Sequence, residues 1–422
     1  MAAGDSYLEK ATKQTDELYN LRDTYFSSDP QEKTSRLQIQ ADLALNLLDS
    51  IPIDEKKSPL QRANIEFLKG KIHDVFPEFR QKAEDHLVKA VKLNPSFADA
   101  WLYLGNCIWK KGDLVHAKNY YNLGLEKGPN KKILCQLSML ERRMAQGTEN
   151  QMQLIEDSIR HAKEAILLDV EDGNSWYNLG NAYLTSFFAT GSRHHKKLLE
   201  SLKAYQHAEK DEAMQSNPDL YFNSATVNKY LENYERALTG FQAAALKDPG
   251  LNATEEVQKM VTLLDNLANC SKVLRTVFGS KVKGKRAVSL TSSLSDMNLN
   301  TSLKKATVKQ LSEGLNKDVV VLAKVLQYIK YNDVAPLYYL MCDLEQSYFI
   351  LSVYGVRPDV IKEGDQLTIV VPYFRDVNFS WNSKKYEFKS IRVDFSEQIT
   401  VNGKTLGKDH AVPTSVSVEH KP

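Results

Sequence analysis

The chain has 422 residues, 26% of them charged and 42% hydrophobic, with a formal net charge of only +2. This near balance excludes a global attraction to nucleic acid or membrane, so any such contact must be local. The length accommodates two or three domains.

In chain order, two amphipathic segments, about 6–26 and 31–48, read as a helical pair without strong signature residues, as terminal capping repeats are. Further on, Trp101, Leu104, Gly105, Ile108, Ala117, Tyr121, Gly124 and Pro129 fall at the signature spacings of a tetratricopeptide repeat, two antiparallel helices in about 34 residues. Ala83, Leu87, Ala90 and Pro95 carry the same phase one repeat earlier, over 64–97. Trp176, Leu179, Gly180 and Tyr183 repeat the helix A half, and Ala237, Phe241, Ala244 and Pro249 the helix B half. The intervening repeat keeps its phase only with extra residues near Gly147–Gln153, and a second insertion is expected near Thr190–Lys197. The segment Thr254–Phe278 predicts one long helix with Val257, Met260, Leu263, Leu264 and Leu267 on one face, expected to cap the last repeat.

Beyond it the composition changes. Residues 279–317 read as a basic Ser/Lys-rich linker, with Lys281, Lys283 and Lys285 at alternate positions. From 318 to 422, short runs rich in β-branched and aromatic residues, among them 319–328, 336–344, 348–354, 366–374, 386–395 and 399–401, are separated by turn signals such as Arg357-Pro358 and Asn402-Gly403. About five strands in this length suggest a small β-barrel of the OB type. The expected fold is therefore mostly α: a repeat solenoid over 1–278 followed by a small C-terminal β-barrel.

Chemistry is excluded more readily than binding. Cys107, Cys135, Cys270 and Cys342 show no metal or disulfide spacing. No apolar leader or membrane-length run is present, which points to a cytosolic or nuclear chain with no membrane partner. No catalytic motif, cofactor fingerprint or metal-ligand set stands out, and the pair His194-His195 reads as loop residues.

A solenoid of this kind offers a concave groove lined by its helices A. Their inward positions bring Asn106 and Trp109 from one repeat, Tyr177, Asn178 and Asn181 from another, and Asp219, Phe222 and Asn223 from a third. An Asn amide both donates and accepts, so a row of them suits the backbone of an extended peptide; the alternative is that they bond within their own repeats. Arg142 and Arg143 end the intervening helix A and read either as a bidentate site for a ligand carboxylate or as solvated surface. Asp219 suits a ligand Arg or a free amino terminus. Tyr177 and Phe222 read equally well as core aromatics.

Repeats, long helix, basic linker and barrel together resemble the tetratricopeptide repeat protein 5 (Strap) family. The more specific stretches are 172–184 (DGNSWYNLGNAYL), 216–220 (SNPDL), 281–285 (KVKGK), 390–393 (SIRV) and 401–404 (VNGK). The resemblance implies a non-enzymatic adaptor, without cofactor, that recognises the N-terminal Met-Arg-Glu segment of nascent α- and β-tubulin on the ribosome. It then recruits an mRNA-decay adaptor and a deadenylase complex, so that tubulin mRNA is degraded. On this reading Arg142 meets the ligand Glu, with Arg143 adjoining it, and Asp219 meets the ligand Arg. Lys281, Lys283 and Lys285 contact ribosomal RNA; composition alone also allows a solvated linker or a nuclear import signal. The family further implies a stress-responsive nuclear role, scaffolding acetyltransferase co-activators and binding DNA through the OB-fold, hence cytoplasm and nucleus. Tyr328, Tyr331, Tyr348, Tyr354, Phe374 and Trp381 are the candidate base platforms, among several acidic residues.

Overall fold

The computed structural model describes residues 7–27, 29–52, 58–192, 194–279, 303–331 and 336–412. The chain divides into two compact units, one carrying 7–190 and 194–254 and the other carrying 191–192 and 255–412.

The first unit is built from antiparallel helix pairs: α1 (Tyr7–Thr24) with α2 (Pro30–Asp49), α3 (Pro59–His73) with α4 (Gln81–Leu93), and α5 (Ala98–Lys110) with α6 (Leu114–Leu125). They continue with α7 (Lys131–Met144) and α8 (Gln151–Leu168), α9 (Gly173–Ala189) and α10 (His195–Ala208), the short α11 (Glu212–Gln215), and finally α12 (Pro218–Tyr230) with α13 (Tyr234–Lys247). Local chemistry sets the starts. Asp172 accepts the Ser175 N–H at 2.9 Å to begin α9, and Asn217 accepts the Asp219 N–H at 2.9 Å behind Pro218 to begin α12.

Small residues let each pair close. A Cβ on Gly105 would strike the ring of Tyr121, and one on Gly180 would strike the ring of Tyr205, so the signature Gly and Tyr are a matched set across helix A and helix B. The hydroxyl of each Tyr then reaches the Asn following that Gly: Tyr121 to Asn106 Oδ1 at 2.7 Å and Tyr205 to Asn181 Oδ1 at 2.6 Å. Burial of Leu87, Leu104, Ile108, Tyr121, Leu137 and their neighbours makes one continuous core through the first pairs.

The long helix is observed as α14 (Ala253–Gly279), with Met260, Leu263, Leu264 and Leu267 buried. Its grouping differs from the expected cap: from Glu255 onward it belongs to the second unit, where Asp265 accepts the Tyr386 hydroxyl at 2.9 Å and pairs with Lys384 at 2.5 Å. An apolar stripe announces that a helix is covered, not which body covers it. The boundary falls after a turn of 3-10 helix at Pro249–Leu251 and the left-handed Asn252 (φ 54°).

The β-region also begins earlier than 318. Strand β1 (Lys304–Ala306) runs parallel to β3 (Val319–Ile329), and β2 (Gly314–Leu315) pairs with β7 (Tyr373–Trp381). Both early strands are short and polar or Gly-containing, so no apolar alternation marks them. The others are β4 (Leu337–Asp343), β5 (Tyr348–Val353), β6 (Gln366–Val370), β8 (Lys384–Val393), β9 (Ile399–Val401) and β10 (Lys404–Thr405). They form one curled sheet in the order β10-β9-β6-β3-β4-β5-β8-β7-β2, around a core that includes Val321, Tyr339, Met341, Leu351 and Ile391. The run expected as a single strand over 366–374 is split, because Val371 (φ 52°) and Pro372 turn the chain between β6 and β7. Two hairpins close on paired positive φ values: Asn402-Gly403, as its sequence announces, and Asn382-Ser383, which lacks the usual Gly.

Candidate peptide-binding site

The site is assembled by three successive helices A, α7, α9 and α12. At its centre is Tyr177 on α9, half-buried, whose hydroxyl oxygen accepts the Asn223 amide at 3.0 Å. The same Asn223 Nδ2 reaches Asn181 Oδ1 at 3.1 Å, which also receives the Tyr205 hydroxyl, so α9, α10 and α12 share one polar chain. Burial raises the Tyr177 phenol above its ordinary range, and the nearby Asp219 carboxylate raises it further. Asp219 is exposed in the first turn of α12.

Arg142 departs from the expected open orientation. It is 2% exposed, and its guanidinium donates to Ser138 O at 3.1 Å, Ser138 Oγ at 2.8 Å, Ser158 Oγ at 3.2 Å and Asn178 Oδ1 at 3.3 Å. Its Nε has no acceptor among the described residues. The cause is in the repeat itself. Ser138 occupies the helical position that Gly105 and Gly180 hold in their pairs. Ser158 of α8 matches Ser201 of α10, each hydroxyl donating to the carbonyl of that position at 2.8 Å, so the place of Tyr205 falls four residues on, at the buried Ala162. With no aromatic ring in that slot, the Arg142 side chain fills it from the same helix. Burial in this place pulls the guanidinium down to about 10, with the Tyr177 and Tyr205 hydroxyls among the groups acting against the shift.

The next residues extend the polar cluster. Glu141 is fully buried, held by Lys118 Nζ at 2.9 Å and His161 Nδ1 at 2.8 Å, which ties α6, α7 and α8 together. Sequence reasoning missed Ser138, Ser158, Lys118 and His161; Ser138 and Ala162 in place of the Gly/Tyr pair of an otherwise regular repeat were the available signal.

The remaining candidates divide. Asn178 is buried, its amide nitrogen donating to Asn174 O at 3.0 Å while its oxygen receives Arg142. Asn106 is engaged by Tyr121 in its own repeat, and Trp109 is 9% exposed within the core, so neither extends the Tyr177 cluster. Phe222 packs against Phe241 with ring centroids 5.2 Å apart. Arg143 is exposed and donates to Gln146 Oε1 at 2.8 Å. Lys281, Lys283 and Lys285 lie outside the described residues. In the β-unit, Tyr354 and Phe374 are buried and so cannot serve as base platforms, whereas Tyr328 is exposed and Tyr331, Tyr348 and Trp381 are half-buried.

Known proteins resemble the chain along nearly its whole length. A family model described as the tetratricopeptide repeat protein 5 OB fold domain matches residues 302–415. Tetratricopeptide repeat protein 5 from Homo sapiens is 34% identical over 430 aligned residues, covering 97% of this chain and 96% of the human protein. The Mus musculus and Bos taurus proteins of that name are 34% and 33% identical at the same coverage. This chain belongs to the tetratricopeptide repeat protein 5 family. Like its family it is a non-catalytic repeat adaptor with an OB-fold domain, and its function is tubulin autoregulation. Within the helical unit, the Asp219 carboxylate and the Arg142 guanidinium act on Tyr177 in opposite directions.

Proposed function

We propose that the Tyr177 cluster reads the N-terminal Met-Arg-Glu segment of α- and β-tubulin as it leaves the ribosome. The observation that carries this is electrostatic: the exposed Asp219 carboxylate and the buried Arg142 guanidinium both act on Tyr177, one from α12 and the other from α7. A peptide with adjacent cationic and anionic side chains matches that pair. The ligand Arg takes Asp219, a charge-assisted contact contributing about 1.5–3 kcal/mol where desolvated. The ligand Glu is drawn by the positive charge of the Arg142 guanidinium, which lies within the wall and keeps an Nε–H without an acceptor among the described residues.

Lys281, Lys283 and Lys285 neutralise ribosomal RNA phosphates in this reading, a contact that weakens steeply with salt. The bound adaptor recruits the mRNA-decay adaptor and deadenylase in the cytoplasm. Ribosomes displaying chains that begin Met-Arg-Glu are expected to retain the protein, and those with the Arg or Glu replaced by Ala to release it. Equal retention of all three refutes the assignment. Charge reversal of the three lysines is expected to lower ribosome association and leave free-peptide binding unchanged.

A further inference from the structure

Away from Tyr177, the first two helix pairs border a half-open cavity of about 460 Å³ beside α2 and the turn from α3 into α4. Ala41, Leu45 and Phe76 give it an apolar wall, Arg80 and Lys82 two cations, and Gln38, Asp42, His73 and Gln81 the rest of the lining. We propose that this cavity binds a small organic phosphate, the phosphoryl group held by His73, Arg80 and Lys82 and the organic body lying on the apolar wall.

The volume is in the range of small-molecule sites, about 300–1,000 Å³. Arg80 is positioned by stacking on Phe76, 3.3 Å from the ring centroid, and by Glu78 at 2.8 Å, which leaves its guanidinium with further donors. Lys82 is exposed and has no ion pair among the described residues. No side chain caps the start of α4, so its first amides add to the attraction for an anion without defining the site.

His73 reports the local potential. It is half-buried and stacks on His86 with centroids 5.8 Å apart. Burial lowers its imidazole to about 4, and His86, Lys82, Arg80 and Lys69 all act in the same direction. The acids nearby are already engaged: Glu66 holds His86 Nδ1 at 2.7 Å, Glu78 holds Arg80, and Asp42 accepts the Gln38 amide at 2.8 Å. A bound dianion supplies the missing negative charge and returns a proton to His73.

The test titrates the full-length chain with sulfate, inorganic phosphate and phenyl phosphate while the His73 imidazole is followed by NMR. Sulfate keeps its charge across the pH range, so its binding is expected to raise the His73 pKa and to tighten as pH falls from about 7 to 5. Phenyl phosphate is expected to bind about tenfold more tightly than inorganic phosphate, through the apolar wall. Arg80→Gln and Lys82→Gln are each expected to weaken binding about tenfold. Should Arg80→Gln fail to fold, the exposed Lys82 decides. An unmoved His73 signal, equal affinity for the two phosphates, or indifference to Lys82→Gln overturns the proposal.

Discussion

The pair α9/α10 and the pair α7/α8 are neighbours built to the same plan and packed by different chemistry. In α9/α10 a Gly admits a Tyr ring, and the Tyr hydroxyl is satisfied by Asn181. In α7/α8 Ser138 and Ala162 stand in those places, and the Arg142 side chain lies there bonded to Ser138 and Ser158. An aromatic ring gives apolar burial and a rigid contact. A guanidinium gives a fixed positive charge inside the wall of the groove, at a desolvation cost that its hydrogen bonds only partly offset. A regular repeat therefore gains a buried charge by exchanging its packing residues while keeping its backbone.

The largest test of this contrast is Arg142→Ala, which leaves Ser138, Ser158 and Asn178 short of partners around a void. The expected loss is about 2–4 kcal/mol, read as faster hydrogen exchange in α7 and α8. Arg143→Ala, on the exposed side of the same helix, is expected to change stability by less than about 0.5 kcal/mol. Equal effects would erase the distinction.

Gly180→Ala places a methyl against the Tyr205 ring and is expected to cost about 1–3 kcal/mol through overpacking, whereas Ser138→Ala, with no ring opposite, costs less. Exchange protection in the two pairs reports each. Tyr205→Phe removes the hydroxyl bond to Asn181 and is expected to cost about 1 kcal/mol, with α10 and α12 affected together because Asn223 shares that oxygen.

A slope with pH is expected in the earlier pairs. Burial pushes the Asp74 carboxyl from 3.8 up to about 6 in spite of its contact with Lys110. The folded helix pair therefore binds that proton more tightly than the unfolded chain does. Its contribution to stability is full below about pH 4 and declines as pH rises through 6. Asp74→Asn is expected to flatten the denaturation profile between those values; an unchanged slope would assign it to other groups.

Helix pairing was legible because Trp101, Gly105, Tyr121 and their counterparts keep a fixed spacing, and a close-packed helix pair needs a small residue facing an aromatic ring at those offsets. The site was legible only in part. Asp219 could be placed at a helix start from Asn217 and Pro218, and it is exposed there. The burial of Arg142 was not, since it depends on Ala162 of another helix being too small to fill the slot. Likewise the amphipathic face of α14 showed in the sequence, but its membership in the β-unit rests on Asp265 meeting Tyr386 and Lys384, more than a hundred residues away. Spacing along one helix reveals a face; it does not reveal what occupies the space beside it.

The most direct measurement is a charge exchange across the groove. Full-length protein and its Asp219→Lys variant are titrated calorimetrically with two peptides, one beginning Met-Arg-Glu and one with the Arg replaced by Glu. The unaltered protein is predicted to prefer the first peptide and the variant the second, a reversal that a general loss of folding cannot produce. The same preference in both proteins would contradict the reading of Asp219 as the residue that recognises the ligand Arg.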